Sequence, residues 1–208
     1  MARPQSADHH LKRDEILDAA AECFAQLSYP AASMATVAAK VGASKARIYH
    51  YYDSKEALLF DLLDRYTQRL LVLIAETQAH AERNKLDDRK TLHALIRSFL
   101  AEYESSATRH VALLNDTKFL NNEAQENQVS QRDSILQRQR DIVSAFTRFL
   151  RQAYPERFTD VNQTALTMQV FGMINWTFTW LRPQGAMSYA AFADEVIATL
   201  EHGLSQAS

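Results

Sequence analysis

The chain predicts an all-α fold, on three observations. Only four Gly and four Pro interrupt 208 residues, which suits long helices with short connections. Val and Ile are sparse beside Ala, Leu, Gln, Glu and Arg, a composition that favours helix over strand. Apolar residues recur at helical spacing between the punctuating residues, giving about nine helices. At 47% hydrophobic and 10% aromatic, the chain can bury a substantial core in one or two domains.

Residues 1–8 read as a disordered arm. A first helix runs from about His9 to Leu27, its apolar stripe carrying Ile16, Ala20, Cys23, Phe24 and Leu27. It ends before Tyr29-Pro30, because proline disfavours helix in its predecessor. Ser33 can cap a short helix from Met34, and Ser44 can cap another from Lys45. Between them Ala38 allows a close crossing, Gly42 takes the positive φ of a tight turn, and Ile48 pins the second helix. Asp53 and Glu56 repeat the cap-then-acid spacing that starts a long fourth helix through Leu59, Leu62, Leu63, Tyr66, Leu70 and Leu73. That helix is longer than the short helices before it require, and it can link them to the rest of the chain.

After the polar break 84–88, a fifth helix carries Leu92, Leu95, Ile96, Phe99 and Tyr103. A shorter one covers 108–114, followed by an irregular stretch at 115–122. A long amphipathic helix then runs to Tyr154-Pro155 with Ile135, Ile142, Phe146, Phe149 and Leu150 inside. The last two helices span about 160–181 and 188–203, split at Arg182-Pro183-Gln184-Gly185. From Met168 to Trp180 the penultimate helix is apolar on nearly every face. Such a helix must be covered on all sides. One chain covers one face, and a second subunit is the natural cover for another, with Tyr189, Phe192, Val196 and Leu200 adding a second stripe.

Net charge is −2, so the chain as a whole is no basic nucleic-acid glue. Charge is local: Lys40, Lys45, Arg47 and Lys55 stand against Asp53 alone. The single cysteine, Cys23, excludes an internal disulfide framework and fits a reducing compartment. The first fifteen residues lack the apolar core of a signal peptide. The longest apolar stretch, 166–181, is too short and too often broken by polar residues to span a bilayer. These features point to a cytoplasmic protein that does not enter membranes.

The helix-turn-helix and its flanks resemble the TetR family of transcriptional regulators. The resemblance rests on the amphipathic first helix, Val37-Ala38, Gly42-Ala43-Ser44-Lys45, Ile48-Tyr49-His50-Tyr51-Tyr52 and Ser54-Lys55-Glu56-Ala57-Leu58-Leu59. Ala46 and Arg47 depart from the Gly-then-small pair common after that Lys, so the base preference is this chain's own. The resemblance implies a DNA-binding domain over 1–54, its helix-turn-helix at about 34–51, and a ligand-binding and dimerisation domain over 55–208. It implies a homodimer built through the last two helices, reading a palindromic double-stranded DNA operator from the major groove. Arg47 is the choice for a base contact, with a phosphate contact as its rival role. Lys45, Tyr49, His50 and Lys55 are assigned to phosphates, with Ser33 and Ser44 adding hydroxyl and helix-end contacts. Tyr51 and Tyr52 have packing as their rival role.

No cofactor is expected beyond a small-molecule effector held in the body. Candidate lining residues are Phe99, Tyr103, Phe119, Phe146, Phe149, Met168, Phe171 and Trp176, with Asn175 as a polar handle. Each aromatic taken singly reads as core; together they suit a cavity. The run Phe171-Gly172-Met173-Ile174-Asn175-Trp176-Thr177 and the following Trp180 to Gly185 resemble TetR-type repressors that answer acyl-CoA thioesters of fatty-acid, phenylacetate or steroid breakdown. Arg132, Arg138, Arg140 and Arg148 are then candidate phosphate partners, although a solvated face accounts for most of them. A second version keeps the DNA head but takes a cationic or aromatic compound, with Glu102, Glu104 and Asp116 as candidate acids. Two further readings dispense with DNA: a helical adaptor, and an enzyme. For an enzyme there is no Gly-rich phosphate loop, zinc-type His/Glu spacing or nucleophile elbow.

Overall fold

The computed structural model describes residues 5–123, 129–182 and 184–205, and within them every regular element is helical. The helices are α1 (Gln5–Leu27), α2 (Met34–Lys40), α3 (Lys45–Tyr49), α4 (Lys55–Asn84), α5 (Asp88–Ser105) and α6 (Ala107–Asp116). A 3-10 turn (Thr117–Phe119) leads on to α7 (Gln131–Ala153), α8 (Gln163–Asn175), α9 (Thr177–Trp180) and α10 (Tyr189–Ser205). The expected arm at 1–8 is shorter than the sequence suggests. Helix α1 already begins at Gln5, and residues 1–4 of the arm lie outside the described residues, as does Pro183 of the later turn. The penultimate helix is divided at Trp176 (φ −85°, ψ 1°), so a single-turn α9 follows α8.

By packing, the chain forms two compact units. One comprises the chain up to Thr67 together with Thr108–Gln137; the other comprises Gln68–Ala107 and the chain from Arg138 onward. The sequence division at residue 54 therefore falls short of the first unit. The start of α4 is inseparable from the helix-turn-helix because Leu58, Leu59, Leu62 and Leu63 are fully buried.

In the first unit, α2 packs on α1 and on α3. Ile16, Leu17, Ala20 and Phe24 of α1, Met34, Val37 and Ala38 of α2 and Ile48 of α3 are all buried. Cys23 is 3% exposed, and burial pushes its thiol pKa up, so it serves as a small packed hydrophobe. A polar network ties α1 to α4: Asp61 accepts from Arg13 Nε at 3.0 Å, Tyr52 OH at 2.6 Å and Arg65 Nε at 3.1 Å. Arg65 also reaches Asp14 at 2.7 Å. Tyr52 is thus a packing residue, its phenol pKa raised by burial and by its bond to Asp61.

In the second unit, α10 packs on α5 and α8. Glu201 of α10 is a hub, meeting His93 Nε2 at 2.9 Å and accepting from Tyr154 OH at 2.9 Å and Arg89 at 3.0 Å. Among the described residues no helix is long and apolar enough to cross a membrane.

Candidate DNA-reading head and effector body

The helix-turn-helix is built by local capping. Ser33 Oγ accepts from Thr36 N–H at 3.1 Å and starts α2; Ser44 Oγ accepts from Arg47 N–H at 3.2 Å and starts α3. Both serines are exposed. Gly42 sits at φ 64°, where an L side chain would be strained, and turns the chain between the two helices. Ile48 is wholly buried while Ser44, Lys45, Ala46, Arg47, Tyr49 and His50 are exposed. One anchor inward and six neighbours outward is what a helix requires to be presented to another molecule. Lys45 Nζ lies 5.6 Å from the Tyr49 ring, and His50 meets Tyr51 edge-to-face at 5.6 Å. A cleft of about 200 Å³ runs beside α3, lined by Lys12, Glu15, Gly42, Arg47 and Tyr51 among others. Lys12 is a basic residue of this surface that sequence reasoning missed, because α1 lies outside the motif.

The cationic patch is smaller than the sequence implies. Lys40 is paired with Glu22 at 2.6 Å. Lys55 is half-buried, and its ammonium donates to the carbonyls of Tyr29 and Ala32, both at 2.8 Å, and of Pro30 at 3.3 Å. Its three protons are therefore spent inside the head, and the phosphate role expected of it is withdrawn. Lys45 and Arg47 remain as the outward cations of the motif.

The expected effector-lining residues separate into three groups. Phe99, Tyr103, Phe146, Phe171 and Asn175 come together in the second unit. The Phe99 and Phe146 centroids are 4.7 Å apart, Phe146 and Phe171 are 4.9 Å apart, and Tyr103 OH donates to Asn175 Oδ1 at 2.9 Å. Burial raises the Tyr103 phenol pKa. Phe149 is also buried, with the Arg148 guanidinium 5.4 Å from its ring. Met168 and Trp176, by contrast, face outward at 43% and 62% exposure. The α8 period turns Thr167, Val170, Phe171 and Ile174 inward and leaves those two on the other side. Phe119 belongs to the first unit, stacked on Tyr29 at 5.0 Å and 22°.

Of the candidate acids, Glu102 is engaged by Arg69 at 3.2 Å and Ser106 at 2.8 Å, and Glu104 is exposed. Asp116 is buried in the first unit, and desolvation raises its pKa to about 6. Glu102 and Glu104 belong to the second unit. A groove of about 710 Å³ opens between α7 and α8, lined by Ser144, Thr147, Arg148, Arg151, Gln152 and Gln163 among others. Arg148 was a candidate phosphate partner; Arg151 was missed because its neighbours on α8 come from a later segment. A second groove, of about 460 Å³, lies along α8 and α10 and includes Leu166, Val170, Gly172, Met173, Leu200 and Gly203. No group of three or more His, Cys, Asp or Glu suited to a metal ion occurs among the described residues.

The profile of bacterial regulatory proteins, tetR family, matches residues 16–62, and that of the tetracyclin repressor-like C-terminal domain matches residues 85–204. A TetR-family transcriptional regulator from Bordetella parapertussis 12822 superposes with a TM-score of 0.83 at 30% identity, over 95% of this chain and 98% of that one. AibR, solved in complex with isovaleryl coenzyme A and operator DNA, shares the fold at a TM-score of 0.75 and 22% identity, over 90% of this chain and 97% of that one. The transcriptional repressor KstR2 of Rhodococcus jostii is 31% identical over 102 residues, covering 49% of this chain and 47% of that protein. The chain spans under half the length of the curated relatives it matches. Two profiles that between them take in both the capped head and most of the helical body place this chain in the TetR family of DNA-binding transcriptional regulators.

Proposed function

We propose that this regulator is a cytoplasmic repressor that binds a palindromic operator as a homodimer and leaves it when an acyl-CoA thioester binds the body. The observation that carries the DNA reading is the outward helix Lys45–Tyr49, seated by a single wholly buried residue, Ile48. Its cations and hydroxyls suit a major groove lined by phosphates. Dimerisation is supported by the two-sided α8: beyond its buried face, Met168 and, at its end, Trp176 are exposed, as is Trp180 of α9.

The thioester reading is supported by the chemistry of the α7–α8 groove, where two arginines, two glutamines and three hydroxyls suit a phosphorylated end. The aromatic cluster of Phe99, Phe146 and Phe171 in the same unit suits an apolar acyl or aryl end. AibR's complex with isovaleryl coenzyme A and operator DNA is a precedent of the same fold. The cationic-ligand version has weaker support in the second unit, where Glu102 is engaged by Arg69 and Ser106 and Glu104 is exposed.

The test is fluorescence anisotropy on DNA upstream of the protein's own gene, with a panel of acyl-CoA thioesters, free CoA, free acids and multidrug cations. Release by thioesters alone is the expected result. Release by cations alone would replace the effector class, and DNA binding insensitive to salt would remove the DNA reading, since counterion release demands a steep salt dependence.

A further inference from the structure

Two residues that the sequence assigned elsewhere meet at one turn. The chain leaves α1 through Ser28 at φ 68°, and Ala32 N–H closes the turn onto Ser28 C=O at 3.1 Å. This turn delivers the chain to Ser33, the cap of α2, and α2 packs on α3. The turn's position therefore sets where the recognition helix stands. Three of its carbonyls, those of Tyr29, Pro30 and Ala32, converge on Lys55, whose ammonium also lies 4.3 Å from the Tyr29 ring centroid. Phe24 meets that ring edge-on at 5.2 Å.

The remaining contact comes from the connector after α6. Phe119 stacks on Tyr29, and two residues later Asn121 N–H donates to the carboxylate of Glu56, the neighbour of Lys55. One short stretch of connector thus grips the head at two adjacent points of α4, once through Tyr29 and once directly.

We infer that Phe119 and Glu56 are positioning residues for DNA recognition, holding the Tyr29–Ala32 turn and hence α2 and α3 in the register that base reading requires. Phosphate attraction tolerates a small displacement of the recognition helix, whereas directed hydrogen bonds to base edges do not. Loosening this grip should therefore cost sequence preference before it costs general DNA affinity. The inference rests on the proposed DNA reading.

The test begins by selecting an operator from random duplex DNA with the wild-type protein. Affinities for that operator and for an unrelated duplex are then measured at one salt concentration, with melting curves, for wild type, Phe119→Ala, Phe119→Tyr and Glu56→Ala. Phe119→Ala should weaken operator binding about tenfold, the size of one lost base contact, with the unrelated duplex within about twofold of wild type. Phe119→Tyr keeps a stacking ring and should restore the operator affinity. Glu56→Ala should repeat the loss in the same sense. Unchanged operator affinity in both alanine variants overturns the inference. So does an equal fall on both duplexes that follows the melting temperature, since that reports only lost folded protein. A wild-type protein that selects no sequence removes the DNA reading itself, a separate outcome from an operator that the variants bind normally.

Discussion

Arg47 stands on the exposed side of α3 with its backbone N–H already taken by the Ser44 cap, so its guanidinium is the part left to act. Its planar fork can bond guanine O6 and N7 together, worth about 1–3 kcal/mol of discrimination per site. Arg47→Ala should therefore cut the preference for the operator over unrelated DNA at least about tenfold while most non-specific affinity survives in a gel-shift competition. An equal loss on all sequences would assign Arg47 to a phosphate. Asp116 gives a pH prediction within the same unit. Desolvation by burial, opposed by Lys118, raises its folded pKa from 3.8 to about 6, so the folded form binds the proton more tightly than the unfolded chain. Stability then falls as pH climbs from about 4 to about 6, and the full penalty of a buried charge is present above that window. Asp116→Asn should match wild type near pH 4 and exceed it by about 2 kcal/mol at pH 7 in chemical denaturation. A variant less stable than wild type at pH 7 would show that the carboxylate is held by bonds rather than penalised.

Among the elements, α3 is the shortest of the head and depends on one side chain. Ile48→Ala should cost about 2–4 kcal/mol and remove specific DNA binding, read by urea titration and anisotropy together. In the second unit, α10 is tied to α5 and to Tyr154, just past the end of α7, by Glu201, and Glu201→Ala leaves Tyr154 OH, His93 and Arg89 without their shared acceptor. A loss of about 1–3 kcal/mol is expected, seen as faster amide exchange along α10. Most helices and the turn between α2 and α3 were legible in the sequence because their causes are local, although Ser54 rather than the expected Asp53 caps α4. Ser33 and Ser44 reach three residues ahead, and Gly42 needs only its own backbone. Lys55 and Phe119 were not legible. Their acceptors and ring partner come from the turn after α1, and no spacing rule connects a lysine at the start of one helix to carbonyls behind another. The orientation of Met168 and Trp176 was hidden by α8's composition, which is apolar on all faces and so carries no sign of which face the same chain would cover.

At the scale of the whole molecule, the exposed Met168, Trp176 and Trp180 set the expectation that stability and assembly are linked. A protein whose folded form gains a partner is stabilised by mass action, so the melting temperature should rise with chain concentration. Trp176→Glu should leave a folded monomer by sedimentation, with helicity retained and palindrome binding lost, because a palindrome needs two heads at once. A dimer surviving that change would move the pairing surface away from α8. Gly172 offers a finer probe of the same face. A methyl group built there meets no atom within 4 Å, so the solitary chain has room for it. Alanine in place of a mid-helix glycine favours helix by about 1 kcal/mol, so Gly172→Ala should make the isolated subunit sturdier. If a neighbouring backbone nestles into that notch, the same methyl keeps the two helices apart, and the variant would gain robustness alone while losing its companion.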